Sequence, residues 1–295
     1  MIRGRIGKRL RGATCALLLL AAAACRPPAG KAGGKGNANE TPVPSAKAGA
    51  LLPGPIGELL VAEALYGGGG GREGMSRWRP KRLWQVGGPA YDARTPFTFD
   101  DVALLAFAQG GSVRAFVVST AVPAGHDCPR CAPIVGAVAL TEVKEGWRVD
   151  AAEPELGTWG SKGGLPGSSR TVRVEKDRRL LMILPVVEAD GTKETSLVLV
   201  AEKEGTLVEV LRVEGVRFTN EGTCGDSWKA PCHEWDFAWT MVHLEGQPAW
   251  DFELTRSGTR PDRATGKVEP FSDERTWKWS GTAYVLAGEG RDVQG

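Results

Sequence analysis

Histidine and cysteine are scarce in this chain, three and six among 295 residues. Few side chains are therefore left for nitrogen or sulfur ligation of a metal or for thiol chemistry, and where they stand matters. The motifs that announce common chemistries are missing from the sequence. No G-x-S-x-G is present to present a serine on a strand-to-helix elbow, and His233-Glu234 is followed by Trp235-Asp236-Phe237 where H-E-x-x-H needs a second histidine. The glycine run Gly67–Gly71 leads into Arg72-Glu73, without the Lys-Ser or Lys-Thr of a phosphate loop. Cys128-Pro129-Arg130-Cys131 is followed by Ala132, so C-x-x-C-H haem attachment is excluded. No organic cofactor is expected. Long apolar runs are lacking too. That from Ala13 to Ala24 is too short to cross about 30 Å of hydrocarbon as a helix.

That short run carries the clearest message of the sequence. Arg3, Arg5, Lys8, Arg9 and Arg11 precede it and small residues close it, the layout of an export signal over 1–24. The stretch Leu20-Ala21-Ala22-Ala23-Ala24-Cys25 resembles the lipobox of bacterial lipoproteins, in which small residues precede a cysteine that is diacylated and becomes the mature N-terminus. The resemblance implies lipidation of Cys25, a membrane partner through that lipid, and a place in a bacterial cell envelope. Ala22 stands where the family prefers leucine or another branched residue, which leaves cleavage after Ala23 or Ala24 and a soluble periplasmic or secreted product as the alternative. Removing residues 1–24 takes away five basic residues and no acidic ones, so the net charge passes from +2 to −3. No basic patch interleaved with aromatics remains, and no nucleic-acid partner is expected.

Residues 25–55 are dominated by Pro, Gly, Ala and Lys and offer little to bury, which predicts a disordered tether. Over 56–96 the spacing from Ile56 to Tyr66 predicts one short amphipathic helix, followed by a glycine-rich connector. From 97 to 288 short apolar runs alternate with turn residues, the pattern of an all-β domain. Turns are expected at Gly110-Gly111, Glu145-Gly146, Lys176-Asp177, Asp190-Gly191, Glu204-Gly205, Glu245-Gly246 and Ser280-Gly281. Consecutive hairpins of this kind predict an antiparallel meander forming a sandwich or barrel-like domain, with one short N-terminal helix and a flexible tail at 289–295. About 190 such residues suffice for one sizeable core.

Two surfaces could bind. Trp235, Phe237, Trp239, Met241 and His243 alternate along one strand face, and Trp277 and Trp279 repeat the spacing. Such a stripe is the inner face of a β core or an aromatic platform for a glycan. Sequence periodicity does not separate the two.

The second is the cysteine pairs. With Cys15 in the signal and Cys25 lipidated, Cys128, Cys131, Cys224 and Cys232 remain, an even number in an oxidising compartment. Two disulfides are expected, local pairing of Cys128 with Cys131 and Cys224 with Cys232 being favoured and cross-pairing between the two loops the alternative. Two other chemistries use the same residues. Cys128 and Cys131 have the spacing of a thiol-disulfide oxidoreductase, but Pro133 leads into the strand-like IVGAVAL where that chemistry uses a helix. His126 and His233 adjoin the pairs, so that His126, Cys128, Cys131, Cys224, Cys232 and His233 contain a tetrahedral zinc set, although the seven-residue gap between Cys224 and Cys232 is wide for a zinc knuckle.

The segment His126-Asp127-Cys128-Pro129-Arg130-Cys131-Ala132-Pro133 also resembles an H-x-C-x-x-C-A-P motif in uncharacterised exported proteins of proteobacteria, which implies no activity. The sequence thus points to a cell-envelope lipoprotein, with a binding or structural β domain whose partner is an envelope protein or a glycan.

Overall fold

Strand after strand pairs with its predecessor in this protein. The structure, a computed structural model, describes residues 46–67, 78, 80, 97–123, 131–161, 164–165, 167–227, 230–247, 249–262, 264–288 and 291–293. All belong to one unit, Thr41–Gly295. The signal segment, Cys25, most of the tether, the connector glycines after Gly67, His126 and Cys128 lie outside the described residues.

One sheet has five strands, in the order β1 (Leu51–Pro53), β5 (Gly146–Thr158), β4 (Ile134–Val143), β3 (Ser112–Pro123) and β2 (Phe97–Gln109). The other runs β6 (Gly167–Glu175), β7 (Arg178–Ala189), β8 (Thr192–Lys203), β9 (Thr206–Thr219), β10 (Glu234–Val242), β11 (Asp251–Pro261), β12 (Val268–Trp279) and β13 (Tyr284–Leu286), with β14 (Arg291–Val293) also on β12. Every pairing is antiparallel. The chain turns at six of the seven dipeptides that the sequence singles out and, for the seventh, one residue earlier at Lys144-Glu145, with Gly146 opening β5; the fold is all-β, sandwich- or barrel-like, with one helix among the described residues, α1 (Glu58–Tyr66).

Period-two burial explains the layering. Along β3, Ala115 and Val117 enter one apolar cluster while Phe116 and Val118 enter another, and β4 divides Ile134, Val138 and Leu140 from Val135, Ala137 and Ala139 in the same way. The first cluster is covered by α1, Trp78, Phe97 and Phe99; the second lies against Leu181, Ile183, Val198 and Val200 of β7 and β8. The other faces of β7 and β8, with Leu180, Met182, Leu197 and Leu199, fill a third cluster with Phe252, Leu254, Trp277 and Tyr284. Strands β3, β4, β7 and β8 are thus buried on both faces, which is why they read as nearly unbroken apolar runs.

The long sheet curls because β9 and β10 pair only at Thr219↔Glu234 and Phe218↔Trp235. Beyond that hinge β10–β13 fold over β6–β9 into a half-barrel around the third cluster. A hydrogen bond from the Trp250 amide to the Val174 carbonyl, 3.1 Å, ties the two sides.

Three expectations are corrected. The packed region begins inside the segment expected to be tether, since β1 pairs β5 and Leu52 is buried among core residues. Residues 291–293 of the expected flexible tail form β14 on β12. And α1 is not amphipathic: Leu60, Val61, Ala62, Ala64, Leu65 and Tyr66 are all buried, with Glu63 exposed. Contacts of α1 with β1, β2, β4 and β5, together with Trp78 stacked edge-on against Tyr66, leave Leu60–Tyr66 little open surface apart from Glu63. Among the described residues no helix is long and apolar enough to cross a membrane.

Candidate ligand cleft

The cysteines are oxidised where they are described. Cys224 and Cys232 form a disulfide, with Cα atoms 4.9 Å apart, so the two loops do not cross-pair. Cys131 is buried and disulfide-bonded. A disulfide sulfur is not a thiolate, so in this state Cys131, Cys224 and Cys232 have no charge to offer a zinc ion. No group of three metal-ligating side chains occurs among the described residues.

The loop between β9 and β10 is held twice over. Asn220 is buried, its Oδ1 accepts from the His233 amide at 2.8 Å, and its Nδ2 donates to the Pro231 carbonyl at 3.0 Å. The disulfide adds a restraint on the unfolded chain, worth about 2.5 kcal/mol for so short a loop. Replacing Cys224 and Cys232 together by serine is expected to lower urea-measured stability by about that amount. Because a bridge across so short a loop compacts the unfolded chain little, the denaturant slope should change little.

The tryptophan stripe runs from core to rim. Trp277 is buried, and Trp239 and Trp279 are half-buried against the third cluster. The indoles of Trp239 and Trp279 lie beneath arginines, Arg170 at 5.9 Å and Arg178 at 4.7 Å, which cover faces that a sugar would use. Trp235 differs. It stacks on Phe218 at 4.6 Å, with His233 5.2 Å from Phe218, and its Nε1 donates to the Gly215 carbonyl at 2.8 Å. Gly258, opposite Trp235 on β11, makes room for it. A Cβ on Gly258 would stand 2.2 Å from the Glu234 carbonyl oxygen and 2.8 Å from the Trp235 Cβ.

Charge is neutralised at the opposite, turn-bearing end of the five-stranded sheet. Arg114 donates to Glu202 at 2.7 Å and Asp150 at 2.9 Å, and Asp150 also accepts from Thr141 and from Arg148. Burial disfavours the Arg114 charge, but hydrogen bonding and attraction from Glu202, then Asp150, raise its pKa above the ordinary value. The three groups satisfy one another and hold β3, β5 and β8 together.

One cleft brings together two buried polar groups that nothing among the described residues satisfies. It encloses about 300 Å³ where β5 ends over β7, β8 and β9, and its walls include Thr158, Trp159, Val187, Glu194, Arg212 and Glu214. Trp159 turns back across its own strand, and only glycine fits beneath it, since a Cβ on Gly157 would lie 2.4 Å from the indole ring. The loop that follows is pinned to β7 by the Glu188 amide, which donates to Ser161 Oγ at 3.2 Å.

Trp159 is only 6% exposed, and among the described residues neither its Nε1 nor Thr158 Oγ1 has a hydrogen-bond partner. Each buried, unpaired polar atom costs about 1–3 kcal/mol, a cost that folded proteins rarely carry without a reason. The rest of the wall is apolar and acidic. Val187 is 44% exposed, and the carboxylates of Glu194 and Glu214 stand in solvent with no ion-pair partner among the described residues. Arg212 sits 5.4 Å over the Trp159 ring and donates to Glu209.

Sequence reasoning did not find this cleft. Its signal is a tryptophan set among glycines in LGTWGSKGG, where a turn would ordinarily take a small polar residue. Compared with protein-family models, with curated proteins and with solved structures, the chain matches none.

Proposed function

We propose that this chain is a lipoprotein of a bacterial cell envelope whose β domain binds a ligand, with Cys25 as the lipidated residue. The observation that carries the anchor is the order of segments. A basic n-region and short apolar run end at Cys25, a stretch poor in buryable residues follows, and Ala46 is already packed against the first cluster. The composition of residues 26–45, dominated by Pro, Gly, Ala and Lys, supports a tether between the lipid and the domain. Binding is supported by the cleft at Trp159, where unpaired donors, exposed apolar surface and free carboxylates meet.

The anchor is tested by labelling with a fatty-acid analogue in wild type and in Cys25→Ser. Label in wild type alone, with the variant released from the membrane fraction, is the expected result. Equal labelling of both, or of neither, removes the lipoprotein reading and leaves soluble export.

A further inference from the structure

The Trp159 cleft has a chemical character specific enough to name a ligand class. Its unpaired indole N–H is a donor only, so what enters must bring an acceptor. Its free charges are the carboxylates of Glu194 and Glu214, while the nearby cation, Arg212, is engaged with Glu209. Its apolar lining includes Pro185, Val187 and Val198. A carbonyl beside an ammonium, on a small apolar body, matches all three.

We propose that this cleft binds an organic cation with an apolar side chain and an adjacent carbonyl, the chemistry of the free amino end of a peptide. The inference rests on the reading of the domain as a ligand-binding one and is independent of the lipid anchor. The ammonium is held by Glu194 and Glu214, the side chain covers Val187, and the carbonyl accepts from Trp159 Nε1. That nitrogen has no exposed surface in the empty protein, packed beside Gly157 with Arg212 over the ring, so binding includes a movement of the Trp159 indole together with Arg212. Little opposes this, because the pair of Arg212 with Glu209 is exposed and such pairs contribute little to stability. Entry of the carbonyl then removes the cost of a buried, unpaired donor, a source of affinity that an already satisfied site lacks.

The probe is L-leucinamide, which carries the ammonium, the carbonyl and an apolar side chain but no carboxylate. N-acetyl-L-leucinamide, lacking the ammonium, is the control. The readout is the indole N–H spectrum of the full chain labelled at its ten tryptophans, with the Trp159 resonance assigned by its loss in Trp159→Phe. Leucinamide is expected to shift the Trp159 resonance saturably, and N-acetyl-leucinamide to bind at least about tenfold more weakly, as loss of roughly 1.4 kcal/mol predicts. The double variant Glu194→Gln, Glu214→Gln should weaken leucinamide by a similar factor. It changes two exposed side chains to near isosteres, so the other indole resonances should stay in place and report that the fold is intact.

Equal binding of the two compounds overturns the cationic ligand class while leaving the cleft a binding site. A Trp159 resonance that neither compound moves overturns the inference altogether. Neither result bears on labelling at Cys25, so failure of the anchor and failure of the ligand class are read separately.

Discussion

Asp273→Ala is expected to cost about 3–5 kcal/mol, one of the two largest single-residue losses anticipated in this protein. Asp273 is 3% exposed on the concave face of the half-barrel, directly opposite Arg256 in the β11–β12 register. It accepts from Arg256 Nε at 2.9 Å and pairs with Arg256 Nη2, and it faces Arg275 Nη2 at 3.2 Å. Arg256 also donates to the Gly215 carbonyl at 3.2 Å, which links the carboxylate to the β9 bend where the sheet turns over. Truncating the aspartate leaves two guanidinium groups facing each other in a partly dry interior, with no anion between them. The loss therefore measures an uncompensated charge, not the net worth of the pair. For the same reason, replacing Arg256 by Met and Asp273 by Leu together should recover most of the stability lost in the single variant. Urea unfolding of wild type, single and double variants checks this. A single-variant loss below about 1 kcal/mol would show that the pair behaves as a surface ion pair.

The same carboxylate sets a pH dependence with a definite sign. Burial pushes the Asp273 pKa up, but the hydrogen bond and charge of Arg256, with the charges of Arg275 and Arg260, outweigh it and hold the pKa below the ordinary value of 3.8. A carboxyl group more acidic in the folded than in the unfolded chain stabilises the fold above its unfolded pKa, about 3.9. That contribution is lost as pH falls through the folded value. Asp273→Asn, which keeps the shape but cannot ionise, should therefore unfold with a shallower loss of stability between about pH 4 and the acid limit. Near neutral pH it should simply be less stable by a constant amount.

How far the fold was legible depends on which interactions are local. Turn dipeptides such as Asp190-Gly191 and Glu204-Gly205 have positive φ at both residues, a requirement that shows in residue type alone, and they placed the hairpins. Runs such as Leu180–Leu184 and Leu197–Ala201 read as strands too. Their burial on both faces depends on Phe116 and Val135 from one sheet and Phe252 from the far side of another, which no window of sequence contains. The curl of the long sheet was hidden likewise, because it follows from β9 and β10 pairing at two positions only. β1 and β14 were missed because their neighbours are rich in Pro, Gly and Ala or stand at a chain end, while their partners supply the ladder bonds. The Trp159 cleft was illegible for the same reason as the curl. Trp159, Val187, Glu194 and Glu214 come from four different strands or their ends, and an unpaired N–H leaves no mark on composition.

Phe252→Ala is the second large loss expected, about 3–5 kcal/mol, and it tests what fills the half-barrel. Phe252 has no exposed surface, faces Met241 on β10 and Trp277 on β12 across the ladder, and lies 6.1 Å from the Trp239 ring, 5.8 Å from Trp277 and 6.4 Å from Tyr284. Three large rings around one phenyl group cannot close the space that alanine leaves, because each is fixed elsewhere. Tyr284 donates to the Trp250 carbonyl at 3.0 Å, Trp239 lies under Arg170, and Trp277 is held in the ladder. The residual cavity should therefore stay open, putting the cost near the top of the range for aromatic truncations. In a domain of this size such a loss corresponds to a fall in melting temperature of roughly 10 °C. Val285→Ala, at a valine 55% exposed on the adjacent β13, should change stability by less than about 0.5 kcal/mol. If the two variants were instead alike, the tryptophans around Phe252 would be a collapsible, open surface. The glycan-platform reading of the stripe Trp235, Trp239, Trp277 and Trp279 would then regain its standing against the core one.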